Sequence, residues 1–163
     1  MTTPEPRPTR DQVLMMTAQT YAARTTCARS SVGAVISREG RILATGYNGS
    51  PAGMTHCDHS CDCPNEAKYA TVTSRADNPH QVGCRTTRPC IIAVHAEANA
   101  IAWAAKHGTA TDGAELHTTM SPCYGCAQLI INAGITRVTF ARTYRDQSGI
   151  RLLENAGVVA VKS

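Results

Sequence analysis

His95-Ala96-Glu97 and Pro122-Cys123-Tyr124-Gly125-Cys126 constrain this chain more than any other stretch. One imidazole and two thiolates are ligands that Zn²⁺ prefers. Three protein ligands leave the fourth tetrahedral position open to water, as in a catalytic rather than a structural site. The two segments must therefore meet, which demands a fold that brings the starts of two separate helices together. The positive ends of those helices favour thiolates and hence the metal-bound form. Glu97, two residues from His95, is placed to act as general acid and base without ligating the metal. A lone C-x-x-C pair would equally suit a redox couple. The upstream His-x-Glu on a separate helix, with Pro122 before the cysteines, favours catalytic zinc.

The rest of the chain limits what can surround such a site. Its 163 residues suit one domain with a real core, and 42% apolar residues is ordinary for a folded protein. No apolar run of about 18 residues marks a membrane span. Residues 1–9 hold three prolines and no apolar core, so they read as a flexible tail rather than a secretory signal, and the expected location is cytoplasmic. A net charge of +4 without a basic stripe argues against nucleic acid as a partner and suits a small anionic substrate. With no export signal, eight cysteines point to metal binding rather than a disulfide framework.

Thr9 and Asp11 are candidate caps for a helix to about Ala23, with Val13, Leu14, Met16, Ala18, Tyr21 and Ala22 as its apolar positions. Val32–Ile36 and Ile42–Tyr47 form a hairpin about Arg38-Glu39-Gly40. Asn48–Gly53 is dense in turn residues and reads as a loop. Residues 54–90 form an insertion too long to stay structureless in a compact domain, so metal ligation is expected to staple it. Beyond it the pattern alternates: helix to Lys106, strand 114–120, helix 123–132, strand 136–141, helix 150–155, strand 158–161. This predicts an α/β fold, a five-stranded mixed sheet with helices on both faces, in a single domain spanning 10–163.

Several blocks resemble deoxycytidylate (dCMP) deaminases of the bacterial and phage type, within the cytidine deaminase superfamily. They are Cys27–Ile36, Thr45-Gly46-Tyr47-Asn48-Gly49-Ser50-Pro51-Ala52-Gly53, His95–Ile101 and Ser121–Cys126 with its continuation to Ile135. The His-x-Glu and Pro-Cys-x-x-Cys elements indicate the superfamily, and the Gly-Tyr-Asn-Gly block indicates the deoxycytidylate branch. The resemblance implies a three-layer α/β/α fold and zinc-dependent hydrolysis of dCMP to dUMP, with His95, Cys123 and Cys126 on the zinc and Glu97 as the acid/base. It also implies that the Ala96 amide holds the pyrimidine carbonyl and Asn48 the sugar hydroxyl. Ser121 joins the substrate contacts. Arg29 with Tyr144 is assigned to the phosphate, with Arg142 and Arg145 as alternatives.

The resemblance further implies a second, structural zinc drawn from Cys27, Cys57 and Cys90 with Cys61 or Cys63, and Cys84 as another option. The close Cys61-Asp62-Cys63 spacing and the extra His56 and His59 leave that ligand set open. The resemblance implies as well a homo-hexamer with dCTP as activator and dTTP as inhibitor, as is common in the branch. Trp103 and Lys106 are candidates for an interface or effector contact, although plain packing is the favoured reading of Trp103. Two rivals stand beside this: the same fold acting on a modified dCMP or another nucleobase, and a non-catalytic zinc-binding module. The latter leaves Glu97 without a purpose.

Overall fold

The computed structural model describes residues 7–27, 30–54, 56 and 93–163. The readings of residues 1–6, and of the 54–90 insertion beyond position 56, fall outside these. Helix α1 (Arg10–Ala22) starts at Thr9, whose hydroxyl accepts the Gln12 N–H while the Gln12 side chain accepts the Thr9 N–H. This reciprocal capping box ties down two amides that the first helical turn cannot satisfy. Thr9 thus belongs to the helix start rather than to a tail.

The buried face of α1 is Leu14, Met15, Ala18 and Ala22, and it corrects the expected one. Val13 and Met16 are exposed. At 3.6 residues per turn, positions 14, 18 and 22 line one stripe with 15 beside it, whereas 13 and 16 both fall on the far side of the helix.

Strands β1 (Gly33–Arg38) and β2 (Arg41–Tyr47) form the antiparallel hairpin the sequence predicts. Its two-residue turn, Glu39 at φ 52° and Gly40 at φ 75°, has the positive dihedrals that match strand twist. Helix α2 (Ala96–Lys106) follows, then β3 (Glu115–Met120), α3 (Tyr124–Asn132), β4 (Arg137–Arg142), α4 (Ser148–Asn155) and β5 (Val159–Lys162). The sheet order is β2-β1-β3-β4-β5. β1 pairs antiparallel with β3, and β3-β4 and β4-β5 are parallel. Each parallel pair is bridged by a helix, as such crossovers require.

Helices cover both faces, giving the expected three-layer arrangement. On one side Leu14, Met15 and Ala18 of α1 pack against Val35. On the other, Ala96, Ala100 and Ala104 of α2, Ala127 and Ile130 of α3 and Leu153 of α4 meet Ile36, Leu116 and Val138. Each fully buried Ile or Leu here contributes roughly 1.5–3 kcal/mol.

The small residues of α2 let it lie almost on the sheet. A Cβ at Gly46 would fall on the Ala96 carbonyl oxygen and 2.6 Å from the Ala100 nitrogen. Under α1, Asp11 accepts from Arg137 Nη2 at 2.9 Å and lies 3.3 Å from Nε2 of the fully buried His117. No described helix is long and apolar enough to cross a membrane.

Candidate active site

β2, β3 and β4 run in the same direction, so their carboxyl ends lie along one edge of the sheet. In open α/β sheets ligands bind beyond such ends. A cavity of about 270 Å³ lies there, lined by Asn48 after β2, Ser121 and Cys123 after β3, and Tyr144 and Arg145 after β4. That approaches the lower end of small-molecule pockets, about 300–1,000 Å³. His95, Ala96 and Glu97 form its wall from α2, whose start is fixed by the Gly49–Val94 bridge.

His95 and Cys123 are the N-cap residues of α2 and α3, both extended, and neither side chain makes a capping hydrogen bond to its own helix. The extended conformation turns the two side chains toward each other. His95 Nδ1 lies 3.4 Å from Sγ of both Cys123 and Cys126. A tetrahedral zinc with ordinary Zn–N and Zn–S bonds requires nitrogen and sulfur about 3.6 Å apart. The donor set and its spacing therefore fit Zn²⁺ through Nδ1.

The electrostatics agree. Hydrogen bonds from Cys126 and His95 lower Cys123 to about 4. Cys126 is pushed far up, first because its thiol donates to Cys123 and then by burial. Without a cation the sulfur pair thus holds one proton and one charge, and a metal ion is what allows both to be thiolates.

Glu97 is buried in the first turn of α2. Burial raises its pKa, against the opposing pull of its own backbone N–H and of His95. A carboxyl held above its usual range beside a metal-ligand triad is suited to passing protons in both directions.

The remaining expected contacts divide. Ala96 is fully buried, and its N–H is one of the amides that a helix start leaves without an intrahelical acceptor. Asn48 is buried, with Oδ1 accepting from Val32 N–H at 2.8 Å and Nδ2 donating to the Ser30 carbonyl at 2.7 Å. Ser121 lines the cavity, but its hydroxyl oxygen accepts the Tyr144 N–H at 2.8 Å and so anchors the loop after β4. Tyr144 lines the cavity, with the Arg145 guanidinium 5.7 Å from its ring centroid. Arg142 instead reaches the Ser31 carbonyl.

Arg29, Cys57, Cys61, Cys63, Cys84 and Cys90 lie outside the described residues. Cys27 is buried on the cavity wall. Trp103 is 53% exposed and stacked on His107, so the packing expectation for it does not hold.

An open metal site beside a buried carboxyl, at the strand ends of a three-layer α/β/α sheet, defines a zinc hydrolase acting on small molecules. Residues 8–142 match the cytidine and deoxycytidylate deaminase zinc-binding region. The chain is 35% identical over 153 residues to the deoxycytidylate deaminase of Enterobacteria phage T2, covering 81% of this chain and 80% of that one. It is 38% identical over 150 residues to ComE operon protein 2 of Bacillus subtilis, covering 91% and 68%. The cyanophage S-TIM5 dCMP deaminase solved with dCMP and dUMP superposes with a TM-score of 0.75 at 32% identity, covering 98% of this chain and all of that one. The chain belongs to the zinc-dependent cytidine and deoxycytidylate deaminase family.

Proposed function

We propose that the protein hydrolyses dCMP to dUMP and ammonia, and that His95, Cys123 and Cys126 hold the zinc. The observation that carries this reading is Glu97, a buried carboxyl two residues from a metal-fitting histidine. Zinc, when bound, supplies Lewis acidity that brings water towards ionisation at neutral pH.

Glu97 takes the proton of the attacking water as the new C–O bond forms at C4 of the pyrimidine. It gives that proton to N3, then moves the second one to the amine, which departs as ammonia while C4 becomes a carbonyl. The Ala96 N–H holds the O2 carbonyl and Asn48 the sugar. Tyr144 and Arg145 face the phosphate, with Arg29 as the further phosphate contact expected from the sequence. The positive charge of Arg145 on the cavity wall favours a 5′-monophosphate over a free nucleoside.

The wider reading includes a second, structural zinc on Cys27 and three of Cys57, Cys61, Cys63 and Cys90. It also includes a homo-hexamer, activation by dCTP and inhibition by dTTP, and a cytoplasmic location, which the family resemblance supports. Metal stoichiometry, solution mass and dCMP titrations with and without dCTP test the first three.

Ammonia release from dCMP, deoxycytidine, CMP and dCTP tests the main reading. dCMP is expected to be the substrate. Glu97→Gln is expected to keep zinc and fold while losing at least 10²–10⁴-fold in turnover. A zinc-loaded protein inert on all four compounds would overturn it.

A further inference from the structure

Thr25, in the segment between α1 and β1, is half-buried and belongs to neither the metal site nor the cavity wall. Its hydroxyl oxygen accepts the Cys27 N–H at 3.1 Å. The same hydroxyl lies 2.8 Å from the Asn48 main-chain carbonyl oxygen and 2.9 Å from Asn48 Oδ1. These two oxygens of one residue are the near acceptors for its single proton, the Cys27 and Ser30 carbonyl oxygens each standing farther off at 3.4 Å.

The orientation of the Asn48 amide follows from its other partners. Val32 N–H can only donate, which fixes the atom 2.8 Å from it as oxygen. The Ser30 carbonyl can only accept, which fixes the atom 2.7 Å from it as nitrogen. A carbonyl oxygen has two lone pairs and an amide nitrogen two hydrogens. With Val32 N–H on Oδ1 and the Thr25 hydroxyl beside it, both acceptor positions face protein donors. One Nδ2 hydrogen is used, and among the described residues the other N–H has no partner, on a side chain that lines the cavity.

We propose that Thr25 is a positioning residue that makes Asn48 a donor-only contact. The sugar subsite then recognises a hydrogen-bond acceptor, the lone pair of the one free hydroxyl of a 2′-deoxynucleotide 5′-monophosphate. This rests on the dCMP reading above and adds the polarity of the contact and the residue that sets it.

The test is steady-state kinetics of the zinc-loaded wild type, Thr25→Val and Thr25→Ser. Each is run with dCMP and with its 3′-deoxy analogue, 2′,3′-dideoxycytidine 5′-monophosphate. The wild type is expected to prefer dCMP by about tenfold in kcat/KM, the scale of one hydrogen bond. Thr25→Val, of the same shape without the hydroxyl, is expected to raise the KM for dCMP with kcat nearly unchanged and to bring the preference close to one. Thr25→Ser is expected to restore it. A Thr25→Val enzyme that keeps the full preference, or loses activity equally on both substrates, overturns the positioning role.

If Thr25→Val does not fold, the wild type alone decides. A 3′-ammonium analogue, which can only donate, is expected to be no better than the 3′-deoxy analogue, and a clear preference for it overturns the proposal. A wild type inert on dCMP defeats the reaction reading itself, whereas the other failures leave that reading standing.

Discussion

The side-chain amide of Asn99 donates to the Tyr47 carbonyl at 2.7 Å, while its backbone N–H bonds the His95 carbonyl at 2.9 Å. One residue therefore ties the first turn of α2, which carries His95 and Glu97, to the strand end that leads into Asn48. Asn99→Ala leaves the Tyr47 carbonyl without this donor and lets α2 shift against β2. A loss of about 1–2 kcal/mol in denaturant unfolding is expected, with kcat/KM falling about tenfold because catalytic geometry tolerates little displacement. Wild-type kinetics in a destabilised Asn99→Ala would show that this bond supports the fold and not the site.

Gly46 tests the same alignment from below. An alanine there would place its Cβ on the Ala96 carbonyl oxygen and 2.6 Å from the Ala100 nitrogen, both main-chain atoms that cannot rotate away. Overpacking of this kind costs roughly 1–3 kcal/mol. Gly46→Ala is expected to lower the unfolding midpoint and, by displacing Ala96 and Glu97, to reduce turnover more than Ile101→Val, which trims a partly buried side chain of α2 without pushing on its backbone. Melting curves and activity of the two variants side by side check it.

These two contacts mark where the sequence was readable and where it was not. The alternation of Val32–Ile36 and Ile42–Tyr47 about a turn, and of helices with strands after residue 94, was legible because hydrophobic period and turn chemistry are local. The triad was legible because residue types and spacing alone define a zinc ligand set. Asn99 stood inside the organising motif without a visible role, since its partner Tyr47 is far away in sequence. Thr25 had no signal, because a threonine gains meaning only from what folding puts beside it. At Val13 and Met16 of α1 apolar character does not mean burial, because both side chains lie away from the sheet. Where Arg142 and Arg145 point was not legible either, because the loop after β4 turns Arg145 to the cavity wall and Arg142 to the Ser31 carbonyl only once the strands are paired.

Cys123 offers a pH signature in the metal-free protein. Its thiol is lowered to about 4 by hydrogen bonds from Cys126 and His95, so the thiolate is already populated throughout the neutral range. Thiolate is the form that alkylates. After zinc is stripped, the rate of iodoacetamide modification at Cys123, read by peptide mass spectrometry, is expected to be nearly flat from pH 6 to 8. An ordinary thiol near 8.5 would speed up by well over tenfold across that interval. A steep rise at Cys123 would show that the sulfur–imidazole hydrogen bonds do not hold the charge. Restoring zinc is expected to slow the reaction, as both sulfurs then serve as ligands.

On the opposite face, Asp11 accepts from Arg137 and from the fully buried His117, and among the described residues Nδ1 of His117 has no partner. The Asp11–Arg137 pair is half-exposed, and on its own is worth about 0–1 kcal/mol. Deleting the carboxylate does more, because it leaves a buried imidazole without its one hydrogen bond, at a cost of roughly 1–3 kcal/mol. Asp11→Ala is therefore expected to destabilise more than Arg137→Ala. The double variant Asp11→Ala/His117→Val, which removes the stranded polar ring and puts a β-branched residue in the strand, is expected to recover part of the loss. Because α1 lies across the sheet from His95 and Glu97, kcat/KM at low temperature should stay close to wild type in all three. Equal destabilisation by Asp11→Ala and Arg137→Ala would assign the contact to the surface ion pair alone.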